Sequence, residues 1–381
     1  MKTFDVAVIG AGVFGSWTAY SLSRAGQKVL LLDAHGAGNS RASSGGESRI
    51  IRMGYGKDEI YSRWAMRSLE LWREFAAQTA RPLFQRTGVL WLASADDQYT
   101  ANTLATLKKL KVPHERMSTS ELSRRFPQFS FDGVSWGLLE SESGALMARQ
   151  AVQLVTAEAR RHGVEYKVAA IQQPKGKGRL ATVASARGDS FSCERFVFAC
   201  GPWLPKLFPE PLGHRIFPSR QEVFFFGIPP GNENYAPPAM PTWINLSEQA
   251  YGVPDLEGRG FKVAFDTHGA EFDPETDARL VSTESVRKIR DYVARRFPEL
   301  RDAPVIESRV CQYENTSNGD FLIDRHPDFE NVWLVGGGSG HGFKHGPAIG
   351  EYVTKLLTAG AAIEPRFSLA TKGEVQKRAV Y

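Results

Sequence analysis

Val6-Ala7-Val8-Ile9 runs directly into Gly10-Ala11-Gly12-Val13-Phe14-Gly15, and Trp17 to Arg24 continues with helical periodicity. This reads as a buried strand, a tight turn and a helix N-terminus. In such a unit the first glycine permits the turn, the second admits a pyrophosphate close to the backbone, and the third lets helix and strand pack. The helix start adds unpaired N–H groups and partial positive charge. Gly26 ends the helix, Lys28 to Leu32 reads as the next parallel strand, and Asp33 stands at its end to accept from a ribose hydroxyl pair. Gly10, Gly12, Val13, Phe14, Gly15 and Asp33 are therefore candidate cofactor-binding residues. The motif alone does not separate FAD from NAD.

A second glycine-rich turn lies near the other end. Val332-Trp333-Leu334-Val335 leads into Gly336-Gly337-Gly338-Ser339-Gly340-His341-Gly342-Phe343-Lys344, and Pro347–Leu357 reads as a closing helix. Between the two turns, helices are expected at Tyr61–Thr79, Asp97–Leu110, Ala148–His162 and Ser282–Phe297. Strands are expected at Thr87–Ala93, Val164–Val168, Phe196–Ala199, Val223–Phe226 and Phe261–Phe265. Gly36–Gly46 reads as a polar loop. The dense Pro and Gly from Pro205 to Pro254 argue for irregular structure with short antiparallel strands.

At 381 residues the chain suffices for two domains or one large α/β body. Its hydrophobic (42%) and charged (23%) fractions are those of a globular protein, and a net charge of +5 without a basic run argues against nucleic acid. That mild excess suits an anionic substrate. Three cysteines, Cys193, Cys200 and Cys311, are too few and odd in number for a disulfide framework, which points to a reducing, cytoplasmic setting. No run of apolar residues is long enough for a membrane span. The apolar start imitates a leader, but Asp5 and the spaced glycines read as strand and turn. No metal is expected.

Over essentially its whole length the chain resembles the monomeric sarcosine oxidase and N-methyltryptophan oxidase family of amine oxidases, among the D-amino-acid-oxidase-like flavoproteins. The residues that carry the likeness are Gly10–Gly15, Ser48-Arg49-Ile50-Ile51-Arg52, Tyr251-Gly252 with Gly260-Phe261-Lys262, Cys311-Gln312-Tyr313 and Gly340-His341-Gly342-Phe343-Lys344. The resemblance implies an α/β fold of two domains. A Rossmann-like FAD-binding domain would take residues 1–82, 145–215 and 320–381; an α+β substrate domain with an antiparallel sheet would take 83–144 and 216–319. It implies FAD bonded covalently to Cys311. A thiolate is the attacking species in such a bond, so cationic neighbours are needed.

The same resemblance makes Ser43, Arg49, Gly338, Gly340, His341, Gly342, Phe343 and Lys344 flavin-binding. Arg52 and Lys344 would clamp a substrate carboxylate, with Tyr251 beside them. Lys262 would promote the reaction of reduced flavin with O2, and Arg49 would lie on the flavin's other face. Backbone N–H groups of Gly338–Lys344 would stabilise negative charge at the flavin's pyrimidine edge. Three positions depart from the family pattern. Gly45 and Asp266 stand where histidines are expected, and Glu314 follows Tyr313 in place of a small polar residue. These changes are expected to open space at Gly45 and add negative charge, favouring a larger amine or one with an extra cationic or hydroxyl group. The implied function is an FAD-dependent oxidase of an N-substituted or cyclic amino acid, acting as a monomer or weak homo-oligomer with O2 as acceptor. Alternatives are a flavin amine dehydrogenase with a protein acceptor and a non-catalytic flavin-binding protein.

Overall fold

The computed structural model describes residues 4–376. The strand Phe4–Ile9 lies between Val29–Asp33 and Ser190–Phe198, parallel to both. Glu165–Val168 and Val332–Gly336 extend the sheet on either side, again parallel. Leu322–Arg325 closes one edge antiparallel, and Thr182–Ala184 folds back on Ser190–Phe198. The central strands Phe4–Ile9, Val29–Asp33 and Val332–Gly336 are largely apolar on both faces because both are covered. Val6, Val8, Leu31 and Val335 pack with Trp17, Ile349 and Val353 on one side; Ala7, Ile9, Leu30 and Leu334 pack with Leu204, Phe208 and Leu212 on the other.

Glycine sets the spacing of the first turn. A Cβ on Gly15 would lie 1.7 Å from the Gly10 carbonyl oxygen, and Gly10 itself has φ +102°. Helix Val13–Arg24 therefore starts directly over the strand end. The closing helix Gly346–Thr358 lies against it, where a Cβ on Gly350 would stand 2.6 Å from the Trp17 carbonyl oxygen.

The second large sheet runs Val305–Thr316, Ile216–Phe226, Phe261–Phe265, Ala250–Val253, Thr242–Asn245, Val89–Ala93, Trp136–Glu140 and Glu115–Ser118. It is antiparallel except between Thr242–Asn245 and Val89–Ala93. Alternation divides its faces. Phe224, Phe226, Phe261 and Val263 pack beneath Ile289 and Val293 of helix Thr283–Arg296, whereas Val223, Phe225 and Ala264 face the other way. A third, small sheet pairs Ser48–Ile51 and Phe84–Gln85 with Gly144–Met147. No helix among the described residues is long and apolar enough to cross a membrane.

Most expected elements stand within a few residues of their predicted ends; Phe261–Phe265 matches at both. The segment expected to be irregular with short strands contains a whole eleven-residue strand, Ile216–Phe226, of which only Val223–Phe226 was expected, paired along its length with the twelve-residue Val305–Thr316. Pro218 and the polar run Arg220-Gln221-Glu222 hide the first of these from an apolar-pattern reading.

Because nothing at the Gly10–Gly15 contact can yield, Gly15→Ala is expected to destabilise the protein by at least about 1–3 kcal/mol, the usual range for overpacking. Urea unfolding checks this; an unchanged midpoint would show that the turn is slack.

Candidate active site

A cavity of about 450 Å³ follows the carboxyl ends of the parallel strands, where open α/β sheets hold their ligands. Gly10, Gly12, Val13, Phe14 and Asp33 line one end, Ser43 and Arg49 lie along it, and Cys311, Gly338, Gly340, Gly342 and Phe343 line the other. Gly15 stands behind this lining, packed on Gly10. Val13 N–H donates to Ser44 Oγ at 3.1 Å. Asp33 accepts from the main-chain N–H of Ala11 (2.7 Å), His35 and Gly36 (both 2.8 Å), which fixes its carboxylate at the strand end.

A second, smaller space of about 70 Å³ lies under the antiparallel sheet, lined by Arg52, Tyr251, Lys262, Asp266, His341 and Lys344 among others. The two cavities share Arg49, Cys311, Tyr313, Gly340 and Phe343. At this junction Cys311 Sγ is 3.5 Å from Arg49 Nη2, and the same nitrogen donates to Ser43 O at 2.6 Å. Lys262, only 2% exposed, donates from Nζ to Ser48 O at 2.9 Å and sits 5.6 Å from the Tyr251 ring centre. Burial, and then the nearby Arg49 charge, push its ammonium down to about 7.

Arg52 is buried between two rings, 4.4 Å from the centre of Tyr55 and 4.8 Å from that of Trp91, and donates to Gly54 O. Glu140 holds this turn. It is fully buried and accepts from Met53 N (2.7 Å), Gly54 N (3.1 Å), Trp91 Nε1 (2.8 Å) and Ser143 Oγ (2.6 Å). Lys344 donates from Nζ to Tyr55 OH and to His341 O, both at 2.8 Å. Tyr55 OH also meets His345 Nε2 at 2.8 Å. Burial, with the charge of Lys344 next, drives the His345 imidazole well below its usual range and keeps it neutral. Tyr55, Glu140 and His345 were not singled out from sequence. Tyr55 follows Arg52 by three positions and His345 follows Lys344 directly, but only the fold brings them together.

Asp266 is 6% exposed and accepts from Tyr313 OH at 2.7 Å; it is the carboxylate among the residues that line the smaller cavity. Gly45 lines neither cavity. A Cβ there would fall 1.8 Å from Asn39 O, so the position tightens the loop, and the open space expected at it is absent. Glu314 faces the larger cavity. No cluster of metal-ligating side chains occurs among the described residues.

The family model described as FAD dependent oxidoreductase matches residues 5–356. The chain belongs to this family. It is 31% identical over 372 residues to the monomeric sarcosine oxidase of Streptomyces avermitilis, covering 95% of this chain and 96% of that protein. It is 29% identical over 380 residues to the N-methyl-L-tryptophan oxidase of Salmonella arizonae, covering 96% and 97%. These likenesses place it in the sarcosine oxidase and N-methyltryptophan oxidase group of FAD-dependent amine oxidases, as its motifs indicated. Among solved structures, L-proline dehydrogenase from P. horikoshii superposes with a TM-score of 0.82 at 21% identity over 97% of each chain, a likeness of fold.

The cavity residues fit FAD. Side-chain-free backbone lines both ends of the larger space, and a Cβ on Gly340 would press to 2.8 Å from the Tyr313 ring. Gly10–Val13 and the helix start would hold the pyrophosphate, Asp33 the ribose, and the Cys311 end the flavin ring.

Proposed function

We propose that this chain is an oxidase of an N-substituted or cyclic amino acid, with FAD bonded covalently through Cys311. One observation carries the reading. The cavity built on the dinucleotide motif meets, at Cys311 and Arg49, a small buried space lined by Arg49, Arg52, Lys262 and Lys344 with Asp266 as its carboxylate. When bound, FAD would supply the redox chemistry, two-electron oxidation of the C–N bond to an imine that water hydrolyses, with the electrons passing to O2 as hydrogen peroxide.

The chain's own residues orient and polarise. Arg52 offers a planar fork and Lys344 a point charge to the substrate carboxylate. Asp266, held by Tyr313, faces the same space and suits a substrate with an additional hydroxyl or cationic group. Lys262, while protonated, puts positive charge where electrons would reach O2. This charge supports O2 as acceptor over a partner protein. The proposed setting is cytoplasmic, as a monomer or weak homo-oligomer. The proposed division is a cofactor domain (1–82, 145–215, 320–381) and a substrate domain (83–144, 216–319).

Three outcomes are expected. Acid-precipitated wild-type protein stays yellow, and Cys311→Ala releases its flavin on denaturation; flavin that washes out of the wild type would end the covalent assignment. Arg52→Ala or Lys344→Ala raises the apparent KM for an amino-acid substrate about tenfold or more, as loss of one partner of a buried charge pair implies. The corresponding amide, already poor on the wild type, is little affected. Equal turnover of acid and amide by the wild type would replace the amino acid with a plain amine. Lys262 is charged below about 7 and neutral above it. Reoxidation of reduced enzyme by O2 therefore slows as pH rises through about 7, whereas Lys262→Met is slow throughout and flat with pH. Stopped-flow mixing with O2 reads this, and equal losses in reduction and reoxidation would remove Lys262 from the oxygen step.

A further inference from the structure

Glu314 is the buried titratable group that the chemistry above leaves without a task. Its strand, Val305–Thr316, runs beside the turns that follow Ser190–Phe198 and Val332–Gly336, where Ser339 N–H donates to Glu314 O at 2.9 Å, and its side chain is 7% exposed and lines the larger cavity. A Cβ on Gly336 would lie 2.4 Å from Oε1 and one on Gly201 3.9 Å from Oε2, so the absence of side chains on both sides makes room for the carboxyl. Oε1 is buried with no hydrogen-bond partner in the protein.

The titratable and polar groups that meet it, or share its cavity, come from four other elements. The main-chain N–H groups of Gly337 and Gly338, in the second glycine turn, favour its anion. The Cys200 thiol, just past Ser190–Phe198, is itself pushed far up by burial and by Asp33 and Glu314. Asp33 ends Val29–Asp33 and is also an acid. Lys206, on the helix Leu204–Leu207, lines the same cavity but pairs with Asp273 at 2.7 Å. On its own strand, Tyr313 turns to Asp266. No cation among the described residues pairs with Glu314, and burial outweighs the two amides to push its carboxyl up to about 7.

Gly10, Gly12 and Val13 line this same cavity. A carboxylate left there without a cation would repel the pyrophosphate they are built to hold, whereas a neutral acid has an O–H to donate. We propose that Glu314 keeps its proton when FAD is bound and donates it to the cofactor's polar ribityl–pyrophosphate stretch, so that FAD binding takes up a proton at this residue. The proposal rests on the larger cavity being the FAD site.

The test is FAD binding to apoprotein in a Cys311→Ala background, followed by quenching of flavin fluorescence from about pH 6 to about pH 9. The parent is expected to bind at least about tenfold more weakly at the upper end, because above about 7 a proton must be supplied for each FAD bound. Glu314→Gln, which keeps a neutral donor, is expected to bind with little change over the same range. Glu314→Ala is expected to be weaker than Glu314→Gln at every pH. The same pH slope in parent and Glu314→Gln, or none in the parent, overturns the proposal. Should the Gln variant misfold, calorimetry of FAD binding to the parent near pH 8 in two buffers of different ionisation enthalpy reads the proton directly, and zero uptake overturns it. FAD that fails to bind the parent at any pH overturns the cofactor site itself, a result distinct from pH-independent binding.

Discussion

The site depends on how closely the first and last long helices approach each other. Helix Val13–Arg24 sits over the end of its strand only because Gly10 and Gly15 carry no side chains. The closing helix then reaches it through Gly346 and Gly350, against Val13, Trp17 and Ser21. This contact carries residues 338–344 to the first turn, where a Cβ on Gly342 would be 2.8 Å from the Phe14 ring. Trp72 extends the arrangement: its ring lies edge-on to Trp17 at 5.0 Å, and its Nε1 donates to Lys344 O at 2.9 Å. A packing constraint between helices thus brings Lys344, from near the end of the chain, to Tyr55, from near its beginning.

Charge in a dry space is the second constraint. The bonds seen for Arg49 and Lys262 run to the carbonyls of Ser43 and Ser48, while Arg52 lies against two ring faces and Lys344 bonds a tyrosine hydroxyl and a carbonyl. For Arg49 and Lys262 these carbonyl dipoles hold the cation with less neutralisation than a carboxylate would, so attraction for an arriving anion is retained. Desolvation loosens the proton of Lys262 near neutral pH. Glu314 shows the opposite case, a carboxyl that burial keeps protonated. Two neighbouring regions of one fold therefore push a base and an acid toward the same pH from opposite sides.

Much of this was legible in the residues. The glycine spacing, the acid at Asp33 and the two apolar runs announce the parallel sheet, because a fully buried strand must be apolar on both faces. The second sheet was harder to read. Val305–Thr316 alternates polar and partly buried positions, and its partner begins across Pro218, so neither shows a strong periodic signal although together they form the longest pairing in the protein. Residues with local motifs around them, among them Gly10, Asp33, Arg52 and Lys344, line the two cavities. Tyr55, Glu140 and His345 were not singled out, since their roles arise from contacts made across the fold by residues of ordinary local context. Gly45 shows the converse: a missing side chain suggests space, but the loop's own backbone fills it.

The small sheet of Ser48–Ile51, Gly144–Met147 and Phe84–Gln85 has a mechanical meaning. The strand that carries Arg49 is hydrogen-bonded to Gly144–Met147, which leads directly into helix Ala148–Arg161 on the parallel sheet's face. Phe84–Gln85, bonded to the same strand, leads within a few residues into Val89–Ala93 of the antiparallel sheet. Rotating one large sheet away from the other would shear these ladders, which therefore resist the hinge motion by which many two-lobed enzymes gape. Access to the small space is then left chiefly to side chains and loops.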